Sequence, residues 1–425
     1  MRVGVMTHTL NSVDGGFHYE AVFLDALSEV AARCPDELVY LTSPQHNLAA
    51  LATTGALAYR GLPIRPLQQT AAPPQPPEAY LKTKPAQHPK LALDTFQCDR
   101  KAALAFRNAG VDLLLMLGPY GPAFTWMTPF VMSVYNLNHR LQPEFPEVSA
   151  FGEFDRREYL YTNVCRYATL VIVDSEIGKE DLLRFYGHLI DADRVRILPY
   201  YSPLMRQPRP GPEELARVGA KHRLPRRYFF YPAQFWRHKN HGLILQALRI
   251  IADQTQEKIP VVLCGSYADY ARALNFKEMW SLAVQLGLAN GVRYLGPVPD
   301  EDMPALYTLS AGLVMPTFFG PTNIPPLEAW HFGRPVVTSD IRGLREQMGD
   351  AALLIDPRSP QALADAMLRL WRDEAAGAEL AERGRARLAA HGWNSFVDGV
   401  AGILTEACER MRAGRTPKFP NVNLA

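Results

Sequence analysis

The chain has 425 residues, 45 Lys+Arg against 43 Asp+Glu, and 48% hydrophobic residues. At roughly 100–200 residues per domain, that length calls for two or three domains, and a chain this apolar closes its own cores, which excludes wholesale disorder. A net charge of +2 supplies no clustered basic face, so no nucleic-acid partner is expected.

The five cysteines (Cys34, Cys98, Cys165, Cys264, Cys408) are far apart and odd in number. They form no CxxC pair and no Cys/His metal spacing, so a reducing cytoplasm is expected, with thiols that behave as small apolar residues. The start, Met1 to Met6, turns polar too soon for a signal peptide. No window approaches the ~20 apolar residues that span a bilayer.

In chain order, short Val/Ile/Leu-rich runs predict strands at Val3–Met6, Val111–Leu117, Phe130–Tyr135, Leu170–Asp174 and Val195–Leu198, then at Tyr228–Tyr231, Val261–Cys264, Val292–Leu295, Gly312–Met315, Pro335–Thr338 and Ala352–Ile355. Apolar on both faces, they suit a parallel sheet covered by helices. Helical patterns alternate with them at Tyr19–Ala32, Asp99–Asn108, Gly178–Tyr186, Leu243–Asp253, Asp302–Ser310, Leu363–Arg372 and Phe396–Met411. The alternation means an α/β, doubly wound architecture. It runs twice, with a break around Pro199–Gly219 that carries Pro199, Pro203, Pro208, Pro210 and Pro212. The expected organisation is a first domain at 1–200, a linker at 201–214, a second domain at 215–390, and a helix and tail at 391–425, the helix able to pack on either domain. Residues 62–90 carry eight prolines (Pro63, Pro66, Pro73, Pro74, Pro76, Pro77, Pro85, Pro89). That density predicts a surface excursion without helix or central strand.

In open α/β sheets, ligands bind beyond the carboxyl ends of the strands, so the residues after each strand are the candidates. After the first strand, Asp14-Gly15-Gly16 opens a helix, where glycines let backbone approach a phosphate or sugar and the helix end favours an anion. Neither GxGxxG nor GxxxxGK[ST] is present. After the first strand of the second domain, Gln234, Arg237, His238 and Lys239 precede an apolar helix. Cations at that end oppose the helix dipole, which suggests that they neutralise a bound anion such as a diphosphate. After Met315, Thr322, Asn323, Ile324, Pro325 and Pro326 read as a helix start with Glu328 one turn on. The N–H groups of such a turn can grip phosphate. His139 and Arg140 follow the strand at 130–135. Asp191-Ala192-Asp193 matches a metal-binding DxD but precedes a strand, where turn residues are expected. No HExxH, GxSxG or zinc spacing occurs, so no metal is assigned.

At these residues the sequence resembles the retaining glycosyltransferases of family four, whose GT-B fold sets two Rossmann-like doubly wound domains facing across a cleft. The stretch Tyr231 to His241 resembles the nucleotide-diphosphate loop of that family, Val292 to Tyr307 the segment beside its base pocket, and Ile324 to Val337 the second half of its paired-glutamate motif. Asn136 to Arg140, Pro143 to Ser149 and Ser175 to Lys179 are similar to a subgroup seen in polysaccharide assembly. Four positions depart from the family pattern: Gln234 stands for a usual Arg, Gly320 for the first glutamate, and Tyr135-Asn136 for a usual His-Asp.

The resemblance implies sugar transfer, with retention, from a nucleotide-diphosphate sugar to a saccharide or lipid-linked saccharide, without cofactor or metal. The catalytic residues expected are His139, Lys239 and Glu328. The donor-binding residues expected are Gly15, Gly16, Gln234, Arg237, Lys239, Gly265, Thr322, Asn323, Ile324 and Glu328. Within this reading Glu328 bonds the nucleotide ribose, Arg237 replaces the missing charge at Gln234, and His139 orients sugar or hydroxyl. A lipid-linked acceptor implies peripheral contact with the inner face of a membrane, although no basic amphipathic helix argues it. Competing readings are a sugar-nucleotide epimerase or phosphorylase on the same plan, and a nucleotide-sugar-binding protein without turnover, which Gly320 and Gln234 favour.

Overall fold

Every apolar run read as a strand forms one in a computed structural model, which describes residues 1–7, 15–42, 75–82, 97–119, 121 and 123–422. The first sheet holds β1 (Arg2–Thr7), β2 (Glu37–Thr42), β3 (Leu113–Met116), β4 (Phe130–Ser133), β5 (Leu170–Val173) and β6 (Val195–Ile197), in the order β2-β1-β3-β4-β5-β6. The second holds β7 (Phe229–Pro232), β8 (Val261–Cys264), β9 (Val292–Tyr294), β10 (Gly312–Met315), β11 (Val336–Ser339) and β12 (Leu353–Ile355), in the order β12-β11-β10-β7-β8-β9. All pairings are parallel. Strands β3, β4, β5, β8, β10 and β11 are buried at every residue, because helices cover both faces of each sheet. These are two Rossmann-like domains.

The helices of the described residues are α1 (Gly15–Ala31), α2 (Pro77–Leu81), α3 (Arg100–Asn108), α4 (Asn138–Leu141), α5 (Pro146–Ser149), α6 (Glu153–Tyr167) and α7 (Glu176–Tyr186) in the first half. The second half adds α8 (Pro212–Lys221), α9 (His241–Thr255), α10 (Tyr270–Gln285), α11 (Met303–Leu309), α12 (Ile324–His331), α13 (Leu344–Met348), α14 (Pro360–Arg372), α15 (Glu374–Leu388) and α16 (Trp393–Arg412). Helix α16 lies on α1. Phe396, Val397, Val400, Ile403, Leu404 and Ala407 are buried in one cluster with Val22, Phe23, Ala26 and Leu27. Burying each large apolar side chain there stabilises the fold by about 1.5–3 kcal/mol. The Trp393 indole donates to Glu29 at 2.8 Å and closes the start of the contact.

Two proline-rich stretches hold helices that the composition argued against. Helix α2 lies inside residues 62–90, and α8 begins inside the stretch read as a linker. In both, a proline occupies the first turn, where its missing N–H has no intrahelical acceptor to lose. The Tyr80 ring of α2 meets Tyr267 of the second domain edge-on, with centroids 5.9 Å apart, and the Tyr267 hydroxyl donates to the Gln75 carbonyl at 3.1 Å. The other prolines of that zone, apart from Pro76 and Pro77, lie outside the described residues.

Strand order fixes where a ligand can enter. The winding reverses between β1 and β3 in the first sheet and between β7 and β10 in the second. Loops after those strands diverge and leave a crevice. The loops that follow β7 and β10 are Ala233–Asn240 and Pro316–Asn323, the stretches with most of the candidate residues.

Candidate functional site

A cavity of about 220 Å³ opens at the carboxyl ends of β7 and β8, beside the start of α12. Gln234, Gly265, Ile324 and Glu328 lie on its wall, and Pro297, Val298 and Met303 give it an apolar end. Gly265 is required there. Its φ is +139°, and a Cβ would come within 2.3 Å of the Ala233 carbonyl oxygen, so the β8 loop can cross the β7 loop only without a side chain.

Glu328 is buried on α12. One carboxylate oxygen accepts the Ser202 hydroxyl at 2.5 Å and the other the Tyr307 hydroxyl at 2.6 Å. Each carboxylate oxygen can accept more than one hydrogen bond, so these two contacts fix the group without exhausting it. Burial and the Glu328 charge hold the Tyr307 phenol far above its ordinary range, so it is a permanent donor.

Lys239 ends a short turn, Arg237–Lys239, that is locked from both sides. Its carbonyl accepts the Tyr231 hydroxyl at 2.9 Å, and the preceding His238 carbonyl accepts the Phe318 N–H at 2.8 Å. Among the described residues, no acceptor bonds the Lys239 ammonium. Burial pushes its pKa down to about 8, opposed by the carboxylate of Glu147. A partly buried cation without a bonded partner is costly in an empty fold. It is the strongest electrostatic signal for an anion.

Glu147 comes from α5 of the first domain and crosses the crevice. Its Oε1 accepts the His238 backbone N–H at 3.0 Å and the His238 Nδ1–H at 2.7 Å. Those bonds hold its pKa below the carboxylate range despite burial, while burial lowers His238 to about 4, so the ring is neutral. The rest of the seam repeats this pattern. Gln142 Nε2 donates to the Phe318 carbonyl at 2.8 Å. Arg342 pairs with Asp181 and Glu180. Phe145 packs between His238 and Phe318, with centroids at 6.1 and 5.6 Å. Thr322 donates its hydroxyl to Asp174 at the end of β5.

Several expected roles are corrected. His139 has no exposed surface. Its Nε2 bonds Glu158 at 2.7 Å, and its ring packs against Phe154 and Tyr161 inside the first domain. A ring so enclosed cannot touch a sugar. Arg237 pairs with Glu278 on exposed surface, so it does not stand in for the charge missing at Gln234, whose Oε1 instead accepts the Trp236 indole N–H at 2.8 Å. The hydroxyl of Thr322 is given to Asp174, and the Asn323 N–H goes to Gln347 Oε1 at 2.9 Å. Pro325 and Pro326 carry no N–H at all. The start of α12 therefore offers an anion chiefly its dipole and the Ile324 N–H, fewer donors than the sequence suggested.

Gly15 and Gly16 open α1 at the carboxyl end of β1, and Asp14 with the rest of that loop lies outside the described residues. Asp193 pairs with Arg410. Glu147, Asp174, Ser202 and Tyr307 were missed as site residues. Signals were available: Asp174 ends a predicted strand, and Glu147 and Tyr307 fall within stretches that carry the family resemblance.

Residues 213–387 match the family described as glycosyl transferases group 1. The O-antigen chain mannosyltransferase B of Escherichia coli is 29% identical over 274 residues, 61% of this chain and 70% of that protein. The chain is a GT-B glycosyltransferase. A D-inositol 3-phosphate glycosyltransferase of Corynebacterium urealyticum is 30% identical over 184 residues, but this match spans only 43% of its length. Among solved structures, the sucrose-phosphate synthase of Thermosynechococcus elongatus aligns with a TM-score of 0.66 at 18% identity, covering 97% of this chain and 99% of that one. HepE of Anabaena, solved with UDP-glucose, aligns with a TM-score of 0.66 at 15% identity, covering 96% and 100%. At such identities these structures speak for the fold of the glycosyltransferase. Among its described residues, no helix is long and apolar enough to cross a membrane.

Proposed function

We propose that this glycosyltransferase moves a hexosyl unit from a nucleotide-diphosphate sugar to a saccharide acceptor, with retention at the anomeric carbon, in the assembly of a polysaccharide. The observation that carries the reading is the unpartnered Lys239 ammonium beside the β7–β10 crevice. As the glycosidic bond to the diphosphate breaks, negative charge grows on the departing oxygens. Lys239 and the positive end of α12 meet that charge. The nucleoside fills the cavity walled by Pro297, Val298 and Met303, and its ribose hydroxyls donate to Glu328. The mannosyltransferase name of the first relative and the UDP-glucose bound to HepE agree with this class of donor.

No described carboxylate offers itself as a nucleophile. Glu328 is held by Ser202 and Tyr307, and position 320, the family's first glutamate, is glycine. A same-face departure through a short-lived oxocarbenium-like state therefore fits best. The reading assigns no metal or cofactor. A lipid-linked acceptor would bring the first domain to the inner face of a membrane from the cytoplasm.

A binding protein without turnover is the second reading, favoured by Gly320 and by the capture of Gln234 by Trp236. One experiment decides between them. A thermal-shift panel of nucleoside diphosphates and their sugars identifies the donor, and NMR of the first-formed product reports its anomeric configuration. A ligand at 100 times its dissociation constant adds about 2.7 kcal/mol of stability. No stabilisation by any member defeats both readings. Stabilisation without donor hydrolysis or transfer leaves the binding protein, and an inverted product removes retention.

A further inference from the structure

The stretch that joins the two domains runs from the end of β6 to the start of α8, and its side chains divide between them. Tyr201 is buried in the cluster of α1 and α16, where its ring meets Trp393 and Phe396 with centroids 5.3 and 5.8 Å apart. Arg206 faces the same side. It pairs with Asp25 of α1 at 2.9 Å, and its guanidinium lies 4.3 Å from the centre of the Trp393 ring. The residues between them turn the other way. Leu204 is buried in the core of the second domain and forms part of the wall of the nucleoside cavity. Ser202 has no exposed surface and gives its hydroxyl to Glu328. We propose that Ser202 is a positioning residue through which the connection between the domains sets the affinity for the ribose of the nucleotide. This rests on the reading of Glu328 as the ribose acceptor and adds to it what keeps that acceptor aimed.

The Ser202 hydroxyl has one proton, and an ionised carboxylate only accepts. The proton therefore goes to Glu328, and the oxygen accepts the Leu204 N–H at 3.2 Å. That second bond caps the turn Pro203–Arg206, so the backbone of the connection fixes the direction of the hydroxyl. Tyr307 donates to the other carboxylate oxygen from α11, inside the second domain. Of these two donors, only Ser202 belongs to the connection. Its neighbours Tyr201 and Arg206 are anchored on α1 and α16, so a swing of one domain against the other about this stretch pulls Ser202 away from α12. Glu328 is then a buried carboxylate short of a donor, which is a costly state. The setting of the domains that seats Ser202 is thus the setting in which Glu328 is held toward the cavity. Ribose binding and that setting favour each other, and the coupling is reciprocal.

The test is calorimetry on the full chain with two ligands: the nucleoside diphosphate that stabilises it most, and the 2′,3′-dideoxy form of the same molecule. The ratio of their affinities reads the contact between ribose and Glu328, because damage to the fold or to the cavity weakens both ligands alike. The parent is expected to prefer the ribose form. Ser202→Ala is expected to lower that preference about threefold to tenfold, as for one hydrogen bond, with affinity for the dideoxy form kept. In a Glu328→Gln background the same substitution is expected to change nothing further, since the acceptor that it positions is gone. Arg206→Ala loosens the exposed far end of the connection and lines no part of the cavity. It is expected to lower the preference in the parent and to have no effect once Ser202 is alanine. Arg206→Ala also keeps the proposal testable if Ser202→Ala does not fold. Equal weakening of both ligands by Ser202→Ala, or an effect that survives in the Glu328→Gln background, marks a structural role and overturns the proposal. A parental preference in either Ser202→Ala or Arg206→Ala overturns it as well. In those cases the preference of the parent keeps the ribose role of Glu328 alive, whereas a parent that binds both forms equally defeats that role itself.

Discussion

Lys239 is the residue at which cost and use meet. Its folded pKa, about 8, lies below the ordinary 10.5 because burial disfavours the ammonium. Between those values the empty fold binds fewer protons than the unfolded chain, so the stability of the empty protein rises with pH across that window. Diphosphate binding runs the other way, because it needs the charged form. Affinity for a nucleoside diphosphate is therefore expected to fall, by up to about tenfold per unit, as pH rises through 8. Calorimetry should show that slope in the parent and lose it in Lys239→Met. At pH 7, Lys239→Ala should slow the chemical step about 100-fold or more, the yield of one charge-assisted donor of about 2.7–4 kcal/mol, and equal turnover would remove it from the mechanism. Gly320 makes the opposite point. Its φ is +139°, and a Cβ would come within 2.2 Å of the Asn323 amide. Restoring the family glutamate there strains the backbone and displaces the Asn323 side chain. Gly320→Glu is expected to cost about 1–3 kcal/mol in denaturant unfolding without raising turnover, and a faster variant would contradict this geometry.

At the scale of elements, helices show why some of the structure was legible and some was not. Helix α9 buries Leu243, Ile244, Leu245 and Leu248, a pattern plain in the sequence. Helix α6 went unread because its buried face includes Glu158, Thr162 and Asn163, polar residues that erase the hydrophobic period. Those residues are affordable only because of partners elsewhere: Glu158 takes His139 from α4, Tyr186 from α7 and the guanidinium of Arg140. The same partners hold the Glu158 pKa down at about 2 despite burial. His139 therefore acts as a clasp between helices. Its removal leaves a buried carboxylate short of a donor, so His139→Ala should cost about 1–3 kcal/mol of stability with nucleoside diphosphate affinity unchanged. A mutant of full stability that no longer transfers sugar would return His139 to the catalytic list. Strand β2 was missed for a different reason: Glu-Leu-Val-Tyr-Leu-Thr is an edge strand paired on one side only, and polar residues at both ends leave a brief apolar run.

At the scale of the whole molecule, parallel sheets and the reversal of strand order located the crevice, and that much follows from alternating apolar runs. The seam did not, because its contacts join residues far apart in the chain, such as Thr322 with Asp174, 148 positions away. No local pattern encodes them. They also make closure depend on pH, with two carboxylates acting in opposite senses. Burial raises the Asp174 pKa to about 6, against an ordinary 3.8, so in the closed form its charge is a penalty above pH 6 that vanishes as it gains a proton. Glu147 is held below the carboxylate range by His238, so its contribution to closure is present at neutral pH and is lost only as pH falls through its lowered value. Below about pH 5, Asp174 is largely neutralised while Glu147 keeps its charge until its lowered pKa is reached, and the two domains should be held most tightly there. Small-angle scattering of the nucleotide-free protein should show a smaller radius of gyration at pH 5.5 than at 7.5. Asp174→Asn, which cannot ionise, should have the smaller radius at both, whereas Glu147→Gln should be more open at both. A radius that is constant with pH in the parent, or an Asp174→Asn protein that still responds to it, would place the control of closure elsewhere on the seam.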